Sequence, residues 1–205
     1  GASKAARAGW KVAVVDDLYR IGTCALLGCD AKKILRRGAE VIDAARMLQG
    51  EGIDPGTLRI DWPDLMAHKR AYVAPMSNRI EAGLVADGVT ALHGLASFTG
   101  PTQLRVDDAE YSAAHFVIGT GARPRTLTFP GAEHLVDSTA FLELEQLPKR
   151  IVFVGGGLIS FEFAHITARA GVETTIVHNG PRLLCVFEPY LVEMLVERTL
   201  SLGID

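Results

Sequence analysis

Residues 151–177 read IVFVGGGLISFEFAHITARAGVETTIV, and their reading decides the fold. The apolar run Ile151 to Val154 predicts a strand, and the glycines that follow end it. Gly155-Gly156-Gly157-Leu158-Ile159-Ser160 is a G-x-G-x-x-S form of the dinucleotide fingerprint. Gly155 permits a tight turn, Gly157 lets backbone approach a pyrophosphate, and the N-terminus of the next helix attracts negative charge. Ser160 stands where Gly or Ala is usual, and it is small enough for close helix–strand packing. A second apolar strand, Thr174 to Val177, completes strand, turn, helix, strand. That context favours a nucleotide site over a plain βαβ unit.

The residue after that second strand is His178, where an acid would hold the ribose of NAD. His178 with Arg182 tilts the expectation toward the 2′-phosphate of NADPH. NADH stays open, because either side chain can equally be a solvent-facing tail position.

Working outward, KVAVVD (Lys11 to Asp16) is a strand ending in an acid, and GTCALLGCDAKK follows at residues 22–33. Cys24 and Cys29 are spaced C-x4-C, unlike a zinc ribbon or a thioredoxin-like motif. Residues i and i+5 of a regular helix point far apart, so a Cys24–Cys29 bridge requires a distorted first turn, which Gly28 permits. Ile34, Leu35, Val41, Ile42 and Ala45 give helical periodicity from Ala31 to Met47, which places both sulfurs near a helix N-terminus. That N-terminus and the adjacent Lys32 and Lys33 favour the reactive thiolate. Two reduced structural cysteines remain the alternative reading. Cys185 has no sequence partner and reads as inert.

The chain has 205 residues, is 48% hydrophobic and carries a net charge of −3. It is long enough for one or two cores, and it lacks the basic surface of a nucleic-acid binder. No apolar run reaches the ~18 residues of a membrane span. Three cysteines with no secretory signal point to a reducing cytoplasm. ASKAARAG reads as a helix ended by Gly9, before which a strand and a phosphate loop are expected. Ile204-Asp205 reads as the start of another strand, so the sequence is expected to be an internal piece of a longer chain. DWPDLMAHKRAYVAPMSNRIEAGLVADG (residues 61–88) is helical scaffold, capped by Asp61 with Pro63 in its first turn and divided at Pro75. His68, His93, His115, His134 and His165 have no ligand spacing, and no metal site is expected.

Together, Asp16, GTCALLGC with the following lysine, GLASF (Gly94 to Phe98), FVIGTGARP (Phe116 to Pro124) and the glycine fingerprint resemble the class I flavoprotein disulfide reductases. That family includes glutathione, dihydrolipoamide and mercuric reductases. Two departures lie at Ile21, where the family usually has a second Gly, and Ala31, where it usually has Pro. The resemblance implies an α/β fold of two Rossmann-like nucleotide-binding domains, both incomplete at the chain ends: an FAD-binding domain over residues 1–125 and an NAD(P)-binding domain over 126–205.

It further implies that hydride passes from NADPH or NADH through FAD to a Cys24–Cys29 disulfide, and on to a small disulfide substrate. Cys29 is then the flavin-side sulfur and Cys24 the interchange thiol. Gly22, Thr23, Asp16, Gly94, Ala96, Thr120 and Gly121 fall on the FAD side, with Phe116 to Gly119 as a strand. Lys33 falls beside the isoalloxazine ring, and Glu162 near the nicotinamide and that lysine. In the family a His with a Glu partner, from a carboxy-terminal dimerisation domain of the other subunit, completes turnover, which implies a homodimer. Neither that domain nor the Gly-Asp motif that holds the FAD ribitol is found here. The competing expectations are a mercuric-reductase-like enzyme and a noncatalytic nucleotide-binding, redox-sensing module.

Overall fold

The computed structural model describes residues 1–18 and 21–205 and divides into two units, one of residues 1–30 with 71–135, the other of residues 31–70 with 136–205. The first opens with helix α1 (Ala2–Arg7), which ends where Gly9 takes a positive φ of 89°. Strand β1 (Val12–Asp16) follows. A short helix α2 (Thr23–Leu27) stops at Gly28, whose φ of −134° and ψ of −125° break the helical path. Helix α3 (Cys29–Met47) therefore starts on the second cysteine, two residues earlier than its apolar periodicity predicts.

Helices α4 (Trp62–Val73) and α5 (Met76–Ala86) are separated at Pro75, as expected of a residue that cannot continue a helix. Asp61 caps α4, its carboxylate accepting from the Asp64 amide at 3.3 Å. Strand β2 (Val89–His93) then lies parallel to β1, in unbroken register from Val12 opposite Val89 to Asp16 opposite His93. Within the same unit, Arg7 on α1 meets Asp87 at 2.8 Å, just before β2.

Beyond β2 the chain forms an antiparallel meander of β3 (Ala96–Gly100), β4 (Gln103–Val106) and β5 (Ala109–Ser112). The expected strand at Phe116 to Gly119 is a correction: residues 115–128 have no regular structure. Val117 is 97% exposed and Ile118 73%, so no sheet edge meets them, and an apolar run without a backbone partner does not become a strand.

In the second unit Asp137 caps α6 (Ser138–Phe141), accepting from the Ala140 amide at 2.9 Å. Strand β6 (Arg150–Val154), helix α7 (Leu158–Arg169) and strand β7 (Glu173–Val177) form the predicted unit, with β6 and β7 parallel from Arg150 opposite Glu173 to Val154 opposite Val177. Helix α8 (Pro189–Ser201) follows and ends before Gly203 at φ 74°. Asp205 then donates to the Thr174 carbonyl, and its own carbonyl accepts from Ile176 of β7.

Phe161 on α7, Leu184 and Val192 on α8 form one core cluster, and the rings of Phe141 and Phe163 stack with centroids 4.0 Å apart. On α3, Ala31, Leu35, Ala39 and Ile42 make the buried stripe. Lys69 on α4 is buried with its charge satisfied, donating to the Leu142 carbonyl at 2.6 Å and to Glu143 at 2.9 Å.

Candidate functional site

In the first unit, the break at Gly28 brings the two cysteines together. Cys24 lies in the first turn of α2 and Cys29 begins α3, so each sulfur is near a helix N-terminus, as predicted. A Cβ on Gly28 would sit 3.2 Å from both the Cys24 Cα and the Thr23 carbonyl oxygen, which leaves room for little but glycine. The expected bridge is not formed: both cysteines are exposed free thiols. A hydrogen bond to the Cys29 side chain, with a smaller repulsion from Asp30, holds the Cys24 thiol above its ordinary value. The backbone amide of Cys29, at the start of α3, favours the Cys24 thiolate but is outweighed.

Lys32 forms an ion pair with Glu162 of α7, inside the second unit, with both side chains half-buried. It is Lys32, not the expected Lys33, that meets Glu162; Lys33 is exposed and lies on the outer face of α3 with Arg36 and Arg37. A helical wheel distinguishes the two. Lys32 shares its face with Leu35, Ala39 and Asp43, at spacings of three, seven and eleven, whereas Lys33 is in phase with Arg36, Arg37 and Glu40.

The glycine turn of the same unit joins β6 to α7. Gly155 takes φ 115°, and its amide donates to the Val177 carbonyl at 2.7 Å, closing the end of the strand pair. Gly157 is the first cap of α7 and has nothing within 4 Å of where a Cβ would stand. No side chain caps that helix, so the amides of its first turn keep donors for an anion. Leu158 and Ile159 at that end are 48% and 51% exposed, and Ser160 is half-buried. Gly156 is confined by side chains instead, since a Cβ there would stand 2.3 Å from Leu183 Cδ2 and 2.8 Å from the His178 ring.

His178 is already occupied. Its Nδ1 accepts from the Gly156 amide at 3.1 Å and its Nε2 faces the Arg182 carbonyl at 3.3 Å, while the Arg182 guanidinium donates to the Cys185 carbonyl. Both residues expected to hold a 2′-phosphate thus serve to fold the loop after β7.

Among the remaining expected residues, Asp16 ends β1 and accepts from the Leu18 amide at 2.9 Å, a local turn bond compatible with either of its readings. Gly22 adopts φ 105° before α2, and Thr23 is the first residue of that helix. Gly94, at φ 142°, donates to the Asp16 carbonyl at 3.1 Å and so closes β1 against β2. Ala96 opens β3 opposite Val106. Thr120 and Gly121 lie exposed in the irregular segment, with Gly121 at φ 75°. Among the described residues no three His, Cys, Asp or Glu side chains converge as a metal site, and no helix is long and apolar enough to cross a membrane.

A sequence model described as pyridine nucleotide-disulphide oxidoreductase matches residues 1–205. Glutathione reductase of Schizosaccharomyces pombe is 32% identical over 213 residues, covering 100% of this chain and 46% of the relative. Dihydrolipoyl dehydrogenase of Mycoplasma genitalium is 31% identical, covering 95% and 44% respectively. Among solved structures, the Cu(II) complex of the HOCl-induced flavoprotein disulfide reductase RclA from Escherichia coli superposes with a TM-score of 0.82 at 26% identity, over 100% of this chain and 44% of that one. The chain thus spans about half the length of the curated relatives it matches. The structural likeness assigns its α/β architecture to the FAD/NAD(P)-binding fold of those reductases. With the sequence match running over every residue, the conclusion is that the chain belongs to the pyridine nucleotide-disulphide oxidoreductase family.

Proposed function

We propose that this chain is the redox and nucleotide-binding part of an NAD(P)H-dependent disulfide reductase, with residues 1–125 on the FAD side and 126–205 on the NAD(P) side. The observation that carries the reading is the pair of exposed thiols on adjoining helix starts, hydrogen-bonded to each other and separated by a glycine that breaks the helix. FAD, when bound, relays two electrons from NAD(P)H to a Cys24–Cys29 disulfide. The glycine turn suits the pyrophosphate of NAD(P)H, and Asp16 with Gly94 suits the adenosine end of FAD.

The chain's own part is thiol exchange. Cys24, once deprotonated, attacks one sulfur of a low-molecular-weight disulfide, forming a mixed disulfide and releasing one substrate thiolate. Cys29 then attacks the Cys24 sulfur, closing the Cys24–Cys29 bond and releasing the second thiolate. Each released thiolate takes a proton from solvent or from an acid. Because Cys24 is held in its protonated form, it needs a base from outside the pair, which fits a His–Glu pair from a second subunit and hence a homodimer. The reducing cytoplasm is the compartment that such a pair suits. NADPH is the proposed donor on the absence of an acid after β7, although the internal bonds of His178 and Arg182 weaken that preference.

A second reading, reduction of a thiophilic metal, is favoured by the two exposed thiols, which offer a two-sulfur ligand, and by the Cu(II) named with the RclA structure. Both readings are tested in the full-length flavoprotein with Cys24→Ser and Cys29→Ser. Cys24→Ser should keep the long-wavelength thiolate–flavin band of the two-electron-reduced protein and lose disulfide turnover, whereas Cys29→Ser should lose the band. Identical spectra for the two variants would remove these roles. NAD(P)H oxidation driven by Hg(II) or Cu(II), with none driven by disulfides, would select the metal reading.

A further inference from the structure

Helices α3 and α7 are joined within the second unit by two ion pairs rather than one. Lys32 meets Glu162 near the starts of both helices, and Asp43 meets Arg169 toward their ends, the second pair also half-buried. Lys32 and Asp43 stand about three turns apart on α3, and Glu162 and Arg169 about two turns apart on α7, so each helix presents both partners on one face. Arg169 is itself held, donating to the His165 carbonyl at 2.9 Å, and Arg198 of α8 approaches the same Asp43 oxygen at 3.3 Å. One carboxylate thus gathers three helices.

Between Lys32 and Asp43, α3 buries Leu35, Ala39 and Ile42. Small apolar contacts of this kind resist separation of helices better than they resist sliding, whereas a charge-assisted hydrogen bond is directional and fixes register. We propose that Asp43 and Arg169 are positioning residues, which hold α3 and α7 in the register at which Lys32 and Glu162 meet. The proposal rests on the disulfide-reductase reading above. Asp43 remains ionised in this place: burial alone would raise its carboxyl, but the Arg169 hydrogen bond and the two guanidinium charges carry it below the ordinary carboxylate value.

The test uses the full-length flavoprotein and compares Lys32→Met, Asp43→Asn, their double variant and Asp43→Glu, with Arg37→Gln on the exposed face of α3 as control. Three readouts are needed: the rate of flavin reduction by NAD(P)H, the position of the long-wavelength band, and the urea midpoint. Lys32→Met and Asp43→Asn should each slow flavin reduction about tenfold and move the band, and the double variant should be no slower than Lys32→Met alone, since coupled residues are not additive. Asp43→Glu should recover the wild-type rate to within about twofold, and Arg37→Gln should change nothing.

Should Asp43→Asn not fold, Arg169→Lys keeps the charge with fewer hydrogen bonds and should slow reduction about threefold with the same band shift. A loss of urea stability in Asp43→Asn with rate and band unchanged would overturn the positioning role, as would losses that multiply to about a hundredfold in the double variant. If Lys32→Met itself leaves rate and band at wild type, the functional reading of its pair with Glu162 fails, and the positioning role goes with it.

Discussion

β1–β2 and β6–β7 are the same object built by different routes. Each is a parallel pair of five residues in unbroken register, and each is closed by a glycine amide that donates to the last carbonyl of the partner strand: Gly94 to Asp16, and Gly155 to Val177. The second pair is joined through the glycine turn and a single helix. The first is joined through residues 17–88, which carry α2, α3, α4 and α5 and with them both cysteines. A parallel connection must cross over, but nothing limits what the crossover contains. In the proposed function the short crossover binds by backbone at its turn, and the long one carries the side chains of the thiol exchange.

The largest test of that comparison is Gly94→Ala, since residue 94 has φ 142° and a Cβ there would lie 2.4 Å from Asp107 Oδ2. Asp107 is not free to yield, because its carboxylate accepts from the Leu95 amide at 3.1 Å. We expect a loss of about 3 kcal/mol from urea unfolding, combining backbone strain with a displaced hydrogen bond. Gly156→Ala meets the far end of Leu183 and the His178 ring rather than a carboxylate, at a negative φ, and should lose about 1–2 kcal/mol. A larger loss at Gly156 than at Gly94 would mean that the short crossover is the more tightly constrained of the two.

A smaller effect separates the thiols. Cys29→Ala removes the hydrogen bond that keeps Cys24 protonated, so alkylation of Cys24 by iodoacetamide near neutral pH should quicken about threefold. Slower alkylation would show that Cys29 activates its neighbour instead of restraining it. Asp30→Asn should act in the same direction and less, because the Asp30 charge is the weakest of the influences on Cys24.

A pH dependence is expected in the second unit. His165 is held at about 4, below its ordinary 6.5, by burial first and then by the charges of Arg169 and Arg198, against a smaller pull from Asp43. The unfolded chain therefore binds a proton that the folded one refuses. The stability contributed by neutral His165 is complete above 6.5 and is lost as pH falls toward 4. Asp43, with its carboxyl lowered, adds a separate loss that begins only near and below its ordinary value of 3.8. His165→Gln should flatten urea stability between those two values while leaving the steeper acid loss; an unchanged slope would place the acid sensitivity elsewhere.

Sequence by itself determined what short-range rules govern. The turn from Gly155 to Ser160, the division at Pro75, the cap at Asp61, the helix end at Gly9 and the break between the cysteines follow from backbone freedom and from hydrogen bonds spanning a few residues. The meander of β3 to β5 is marked only faintly, by Pro101 and the Asp107-Asp108 pair between short runs, because exposed strands lack a strong apolar alternation.

What only the tertiary structure decided depends on partners distant in the chain. Phe116 to Gly119 has the composition of a strand but meets no edge. Of two adjacent lysines the one inside the helical stripe, Lys32, reaches Glu162, some 130 residues away. At the Cys24 thiol the hydrogen bond to the Cys29 side chain outweighs the backbone amide at the start of α3. His178 and Arg182, plausible as ligands for a phosphate, spend their hydrogen bonds on their own loop. In each case local propensity offers several states of similar free energy, and a partner that the sequence window does not contain selects one of them.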